Sequence, residues 1–200
     1  SKQYYIILFV LVLIAFLLRF WVSLEFYHND PSVTNPVKAT DMATYMDLAE
    51  KIFRRKYHDY FYYQPFYYAV FIPLIKIFSN TVMAVIIVQC VLSALTVYIS
   101  ANSAKNLAGR KAGIITAFLT AFSTMLVFYV PYHLIETLQA FWLSLILLFA
   151  IEIIRTGKWY YWLLAGFTFS FSILTRGNIL ILLLPVFFIL LFSLFMNKGK

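Results

Sequence analysis

Stretches of close to twenty residues with almost no charge recur along this chain, the first running from Tyr4 to Leu24. An α-helix rises about 1.5 Å per residue, so about twenty apolar residues cover the hydrocarbon thickness of a bilayer. A water-soluble domain needs a polar face on its helices. This chain is instead 63% hydrophobic and 12% charged, where soluble domains average about 25% charged. The expected fold is all-α: a single polytopic membrane helix bundle over residues 1–200, with about six transmembrane helices. The first run is too long for a secretory leader and has no small-residue cleavage pattern after Leu24, so it is expected to be a retained span.

The spans fall at roughly 4–24, 81–104, 112–130, 136–155, 159–176 and 178–196, with Pro131 able to break the third near its end. Arg19, near the far end of the first, is expected to reach the headgroup level. Residues 25–80 form the most polar part of the chain, a large loop punctuated by Pro31, Pro36, Pro65 and Pro73. Within it, Met42, Tyr45, Met46, Ala49 and Phe53 make an apolar stripe at helical spacing, opposite Asp47, Glu50, Lys51 and Arg54. That pattern predicts an amphipathic interfacial helix over about 40–56. The apolar stretch from Pro65 to Phe78 is short for a span and carries Lys76, which predicts a second interfacial or re-entrant helix.

The formal net charge of +8 does not indicate nucleic acid, because the basic residues are dispersed between apolar segments. Their distribution gives orientation instead. Lys2, then Lys105, Arg110 and Lys111, then Arg155 and Lys158, then Lys198 and Lys200 all fall on one side of a six-span arrangement. The positive-inside rule makes that side cytoplasmic, with both termini there, and turns the electrically balanced 25–80 loop outward. The single cysteine, Cys90, lies inside an apolar run and reads as a small buried residue.

This topology brings Asp41, Glu136 and Arg176, distant in sequence, to the same outer face, where they are able to share a cavity. A carboxylate and a guanidinium near lipid depth are costly unless paired or facing a polar cavity. One reading is a stabilising ion pair between helices; the other is a site. Arg176 suits a phosphate because its planar fork makes bidentate contacts, with Glu136 orienting it or holding a substrate hydroxyl. Asp41 opens the interfacial helix, where it either acts as a general base favoured by the helix dipole or caps the helix with Thr40. Tyr45 stands one turn on. His28, Asp30, His58, Asp59 and His133 share the outer side, but their spacing fixes no ligand geometry, and solvated loop residues are the simpler account.

Four places carry a family likeness: Asp41-x3-Tyr45-x3-Ala49, Gln64-Pro65-Phe66-Tyr67-Tyr68, the Glu136-Thr137 start of a span, and Leu174-Thr175-Arg176-Gly177-Asn178. In order and common sidedness they resemble the N-terminal module of the GT-C glycosyltransferases. The bacterial relatives of protein O-mannosyltransferases and aminoarabinose transferases are the nearest in pattern. Asp41 is followed by Met42 where protein O-mannosyltransferases carry an Asp-Glu pair. Similar enzymes have roughly twice as many spans and usually a soluble outer domain, so the resemblance implies a missing acceptor-selecting half, and the chain is expected to be a truncated piece, a fragment of an open reading frame or a minimal member of the superfamily.

The resemblance implies transfer of a sugar from a polyprenyl-phosphate donor to an acceptor hydroxyl or amine on the periplasmic or extracellular side of the plasma membrane. It implies Asp41 and Glu136 as catalytic groups, Arg176 at the donor phosphate, and Tyr45, Tyr67, His133 and Asn178 at the substrate. No resident metal or cofactor is implied, though a divalent cation is compatible. The competing expectations are a non-catalytic protein that binds or moves polyprenyl lipids, and a small transporter gated by Glu136 and Arg176. No internal repeat or pair of broken helices supports the transporter.

Overall fold

The computed structural model describes residues 2–56, 64–182 and 184. In chain order these form α1 (Lys2–Asn29), α2 (Pro31–Thr34), α3 (Asp41–Phe53), a π-helical segment (Phe66–Phe71) running into α4 (Ile72–Phe78), α5 (Val82–Ala121), α6 (Thr124–Phe128), α7 (Glu136–Thr156), α8 (Trp159–Thr175) and a 3₁₀ segment (Gly177–Leu182). The described residues contain no strand, and the chain is a helical membrane bundle. Among the described residues three helices are long and apolar enough to cross a membrane: Lys2–Asn29, Val82–Ala121 and Glu136–Thr156. The expected last span, 178–196, lies mostly outside the described residues.

Helix α5 holds two of the expected spans. At Gly109 the backbone adopts φ 86° and ψ 179°, a conformation glycine reaches without the Cβ penalty. The chain there doubles back into a helical hairpin, and Ala117 and Ala121 of the second arm pack with Val97 and Ala101 of the first and with Tyr4, Leu8 and Ala15 of α1. Small residues let the three helices approach closely. Gly113 is the tightest point: a Cβ built there lies 2.7 Å from the Tyr4 hydroxyl and 2.9 Å from the Ala101 carbonyl oxygen. Gly113→Ala should therefore destabilise the bundle by about 1–3 kcal/mol through overpacking, read as a lowered melting temperature in detergent; an unchanged melt would mean that the hairpin yields at no cost.

Two expectations change in detail. The second arm ends at Ala121, well before Pro131, and the chain resumes as the short α6. Arg19 caps the end of this arm. Rather than reaching the headgroups it is completely buried, donating from Nε to Ser93 Oγ (2.6 Å) and from its terminal nitrogens to the carbonyls of Ala15 (3.0 Å), Ala121 (2.9 Å) and Thr120 (3.1 Å). The last carbonyls of a helix lack intrahelical donors and carry the negative end of its dipole, so they receive a guanidinium without a carboxylate.

One end of the bundle gathers the 30–56 and 64–81 segments, the 129–135 turn and the C-terminus of α8; the opposite end carries Lys105, Arg110, Lys111, Arg155 and Lys158. At that basic end Asn106 donates to Glu152 (2.6 Å), which also pairs with Arg155 (2.6 Å).

Candidate functional site

At the loop end, Thr40 is the N-cap of α3, its hydroxyl accepting from the Ala43 amide at 3.3 Å. Asp41 is therefore the first helical residue rather than the cap. Its exposed side chain borders a cavity of about 240 Å³ together with Thr44, Tyr45, Lys51 and Tyr68. The buried face of α3 consists of Met42, Tyr45, Leu48 and Ala49, so the helix sits rotated slightly from the expected stripe, with Leu48 inside and Phe53 exposed. Tyr45 donates its phenol hydrogen to the Gln64 side-chain carbonyl. Gln64 itself holds φ 68°, a left-handed conformation that strains a residue with a side chain.

The π-helical turn has a local cause. Pro73 has no N–H to return to the Ala69 carbonyl, and its ring crowds that group, so the preceding turn widens and Ile72 donates to Tyr67. The widened turn places Tyr67 and Tyr68 side by side under Tyr45, with ring centroids 5.5 Å and 6.3 Å from it. Tyr67, fully buried, donates to Gln89 Oε1 at 2.7 Å, and Gln89 Nε2 donates to the carbonyls of Val130 (2.6 Å) and Tyr132 (2.8 Å). Gln89 thus ties the aromatic cluster to the turn that leads into Glu136. Sequence reasoning passed over it. The available signal was an amide inside an apolar run, a group that must find partners in a membrane.

Glu136 opens α7, whose N-cap Ile135 supplies no side-chain acceptor. Arg176 is the C-cap of α8. Gln139 Nε2 donates to Ser172 Oγ (2.8 Å) and Trp142 Nε1 to Thr175 Oγ1 (3.1 Å), locking the two helices just below these residues. The result brings Arg176 to 3.6 Å from one Glu136 oxygen, with both side chains part exposed. The second oxygen, Oε2, is buried with no partner. Of the five buried unpartnered polar atoms among the described residues, three lie on the first turn of α7: Glu136 Oε2, Thr137 Oγ1 and Gln139 Oε1. Buried polar groups are ordinarily satisfied, so this cluster marks a place built to receive something polar.

The expected residues do not all meet. Glu136 and Thr137 line a cavity of about 180 Å³ with Met125, Leu126 and Tyr129, which has no lining residue in common with the Asp41 cavity. Tyr67, in ring contact with Tyr45, is within electrostatic reach of Glu136. Asn178 is exposed in the 3₁₀ segment. His133 turns to a different pocket, with Lys76 and Glu50. Asp30 is engaged by the Ser32 amide (2.9 Å) and the Tyr132 hydroxyl (3.0 Å), and these bonds hold its carboxyl below the ordinary range. No three His, Cys, Asp or Glu side chains among the described residues are grouped to hold a metal ion; His58 and Asp59 lie outside them.

Residues 64–199 match the family model described as dolichyl-phosphate-mannose-protein mannosyltransferase. No curated protein and no solved structure matches the chain.

Proposed function

Because the chain belongs to the dolichyl-phosphate-mannose-protein mannosyltransferase family, and so to the GT-C membrane glycosyltransferases, we propose that its loop end transfers a sugar from a polyprenyl-phosphate donor to an acceptor on the non-cytoplasmic face. Asp41 removes the proton from the acceptor hydroxyl or amine as that group attacks the anomeric carbon. The bond from that carbon to the phosphate oxygen breaks in the same inverting displacement. Arg176 offsets the negative charge collecting on the departing phosphate, and Glu136 holds Arg176 in position. Tyr45 lines the Asp41 cavity, with Tyr67 packed behind it, and Asn178 follows Arg176 at the rim.

The observation that carries this reading is the Glu136–Arg176 contact. At 3.6 Å it is longer than a charge-assisted hydrogen bond of about 2.7–2.9 Å, and it uses one terminal nitrogen of the guanidinium. A pair serving only stability is expected to close into a bidentate contact, whereas a loose one leaves the rest of the fork available to a phosphate.

The test is binding of a polyprenyl-phosphate analogue to the reconstituted protein. Arg176→Lys keeps the charge and loses the fork, so affinity should fall by about tenfold or more, equivalent to about 1.4 kcal/mol. Unchanged affinity in both Arg176→Lys and Arg176→Ala would return Arg176 to a structural role.

A further inference from the structure

Gln89 brings two N–H donors and a carbonyl oxygen into an otherwise apolar run, where each of them needs a partner. It is wholly buried, and all of these groups are used. Nε2 donates to two backbone carbonyls, Val130 at 2.6 Å and Tyr132 at 2.8 Å. A carbonyl only accepts, so the amide has one favourable orientation, with Oε1 facing the Tyr67 hydroxyl, which donates to it at 2.7 Å. One side chain of α5 thereby joins the π-helical segment to the 129–135 turn.

Neither end of this link touches a reacting group, but each leads to one. Tyr67 packs its ring against Tyr45, centroids 5.5 Å apart, and Tyr45 lines the Asp41 cavity. At the other end the turn runs into Glu136 at the start of α7, and Glu136 meets Arg176. The Asp41 and Glu136 cavities share no lining residue, so their spacing is set through the protein that joins them. Tyr45, Tyr67, Ile135 and Leu138 do belong to one apolar cluster. Apolar contact is non-directional and tolerates sliding, whereas hydrogen bonds weaken steeply with angle; the amide is what fixes the register. We propose that Gln89 is a positioning residue, holding the acceptor side of the site at Asp41 in register with the donor-phosphate side at Glu136 and Arg176, a role that rests on the transfer reading above. An in-line displacement demands such register, since base and phosphate stabiliser act on opposite sides of one carbon, and a misplacement of about 1 Å lowers the rate by up to about 10²-fold.

Gln89→Leu leaves two buried carbonyls and a hydroxyl without partners and is expected to lower the melting temperature. The variant that tests position without that damage is Tyr67→Phe, which removes one bond, keeps the ring and leaves Gln89 on the turn. Tyr67 is 0% exposed, so its hydroxyl does not contact a substrate. The full chain in nanodiscs is given a radiolabelled mannosyl-phospho-polyprenol, and release of the labelled sugar is measured per folded molecule. Tyr67→Phe should lower kcat by about tenfold to 10²-fold, with KM for the donor and affinity for a polyprenyl-phosphate analogue unchanged. Gln89→Leu should do the same, and the double variant should be no slower than Gln89→Leu alone, because both substitutions cut one link. An amide serving folding only would lower the melting temperature and leave kcat at the wild-type value. That result, or losses that multiply in the double variant, would overturn the proposal. Asp41→Asn separates its failure from that of the transfer reading: release lost in Asp41→Asn but normal in Tyr67→Phe and Gln89→Leu removes the positioning role alone. Release unaffected by both Asp41→Asn and Arg176→Ala, or absent from the wild type, removes both.

Discussion

Asp41→Asn is expected to lower sugar transfer by about 10²–10⁴-fold, the usual contribution of a positioned general base, with little change in donor binding. Asparagine keeps the shape of the side chain and removes its basicity. The structure makes this substitution a clean one, because Thr40 and not Asp41 caps α3 and the Asp41 carboxylate stands exposed at its cavity. Helix stability should fall by only about 0.3–1 kcal/mol through the lost charge–dipole attraction, whereas Thr40→Ala should cost about 0.5–2 kcal/mol as a lost cap while leaving the chemistry in place. Glu136→Gln is the companion variant, measured in the same radiolabelled transfer assay. Near-normal transfer in Asp41→Asn together with its loss in Glu136→Gln would make Glu136 the base. Activity in both would favour a protein that binds or moves polyprenyl lipids without transferring their sugar.

Arg19→Ala should have the largest effect on folding. Its guanidinium supplies donors to Ser93 and to the carbonyls of Thr120 and Ala121, and a buried acceptor left without a donor costs about 1–3 kcal/mol. No water in the apolar interior is available to replace it. The expected result is a fall in melting temperature large enough to leave much of the protein aggregated in detergent. Arg19→Lys should recover part of the loss, since one ammonium carries three donors but cannot span the distance from Ser93 to the end of the second arm of α5. A normal melt with lost transfer would instead make Arg19 part of the reaction path.

The buried arginine also shows where sequence reading reached its limit. Counting apolar residues locates helices because each residue adds a fixed rise, and hence α1, α3, the first arm of α5, α7 and α8 were legible to within a turn or two, whereas the second arm of α5 ends at Ala121, short of the expected 130. The same count set Arg19 at the headgroups, because a chain read linearly does not show that the carbonyls of Thr120 and Ala121 lie 2.9 to 3.1 Å from its fork. The widened turn at Phe66–Phe71 was hidden for a related reason: Pro73 announces a disturbed helix, but whether the chain kinks, breaks or widens depends on what packs against it.

The sequence by itself determined that this chain lives in a membrane as a helical bundle, and it identified the charged residues that burial would make costly, among them Glu136 and Arg176. Hydrophobicity and charge are properties of single residues, and their spacing is enough for that. Only the tertiary structure decided which of these groups meet. It paired Glu136 with Arg176 at 3.6 Å, set Asp41 in a cavity of its own, gave His133 to Lys76 and Glu50, and made Gln89 the tie between the aromatic cluster and the turn before Glu136. Such contacts depend on how each helix is rotated about its axis. A rotation of half a turn leaves composition and span length unchanged, while it replaces every neighbour of a side chain.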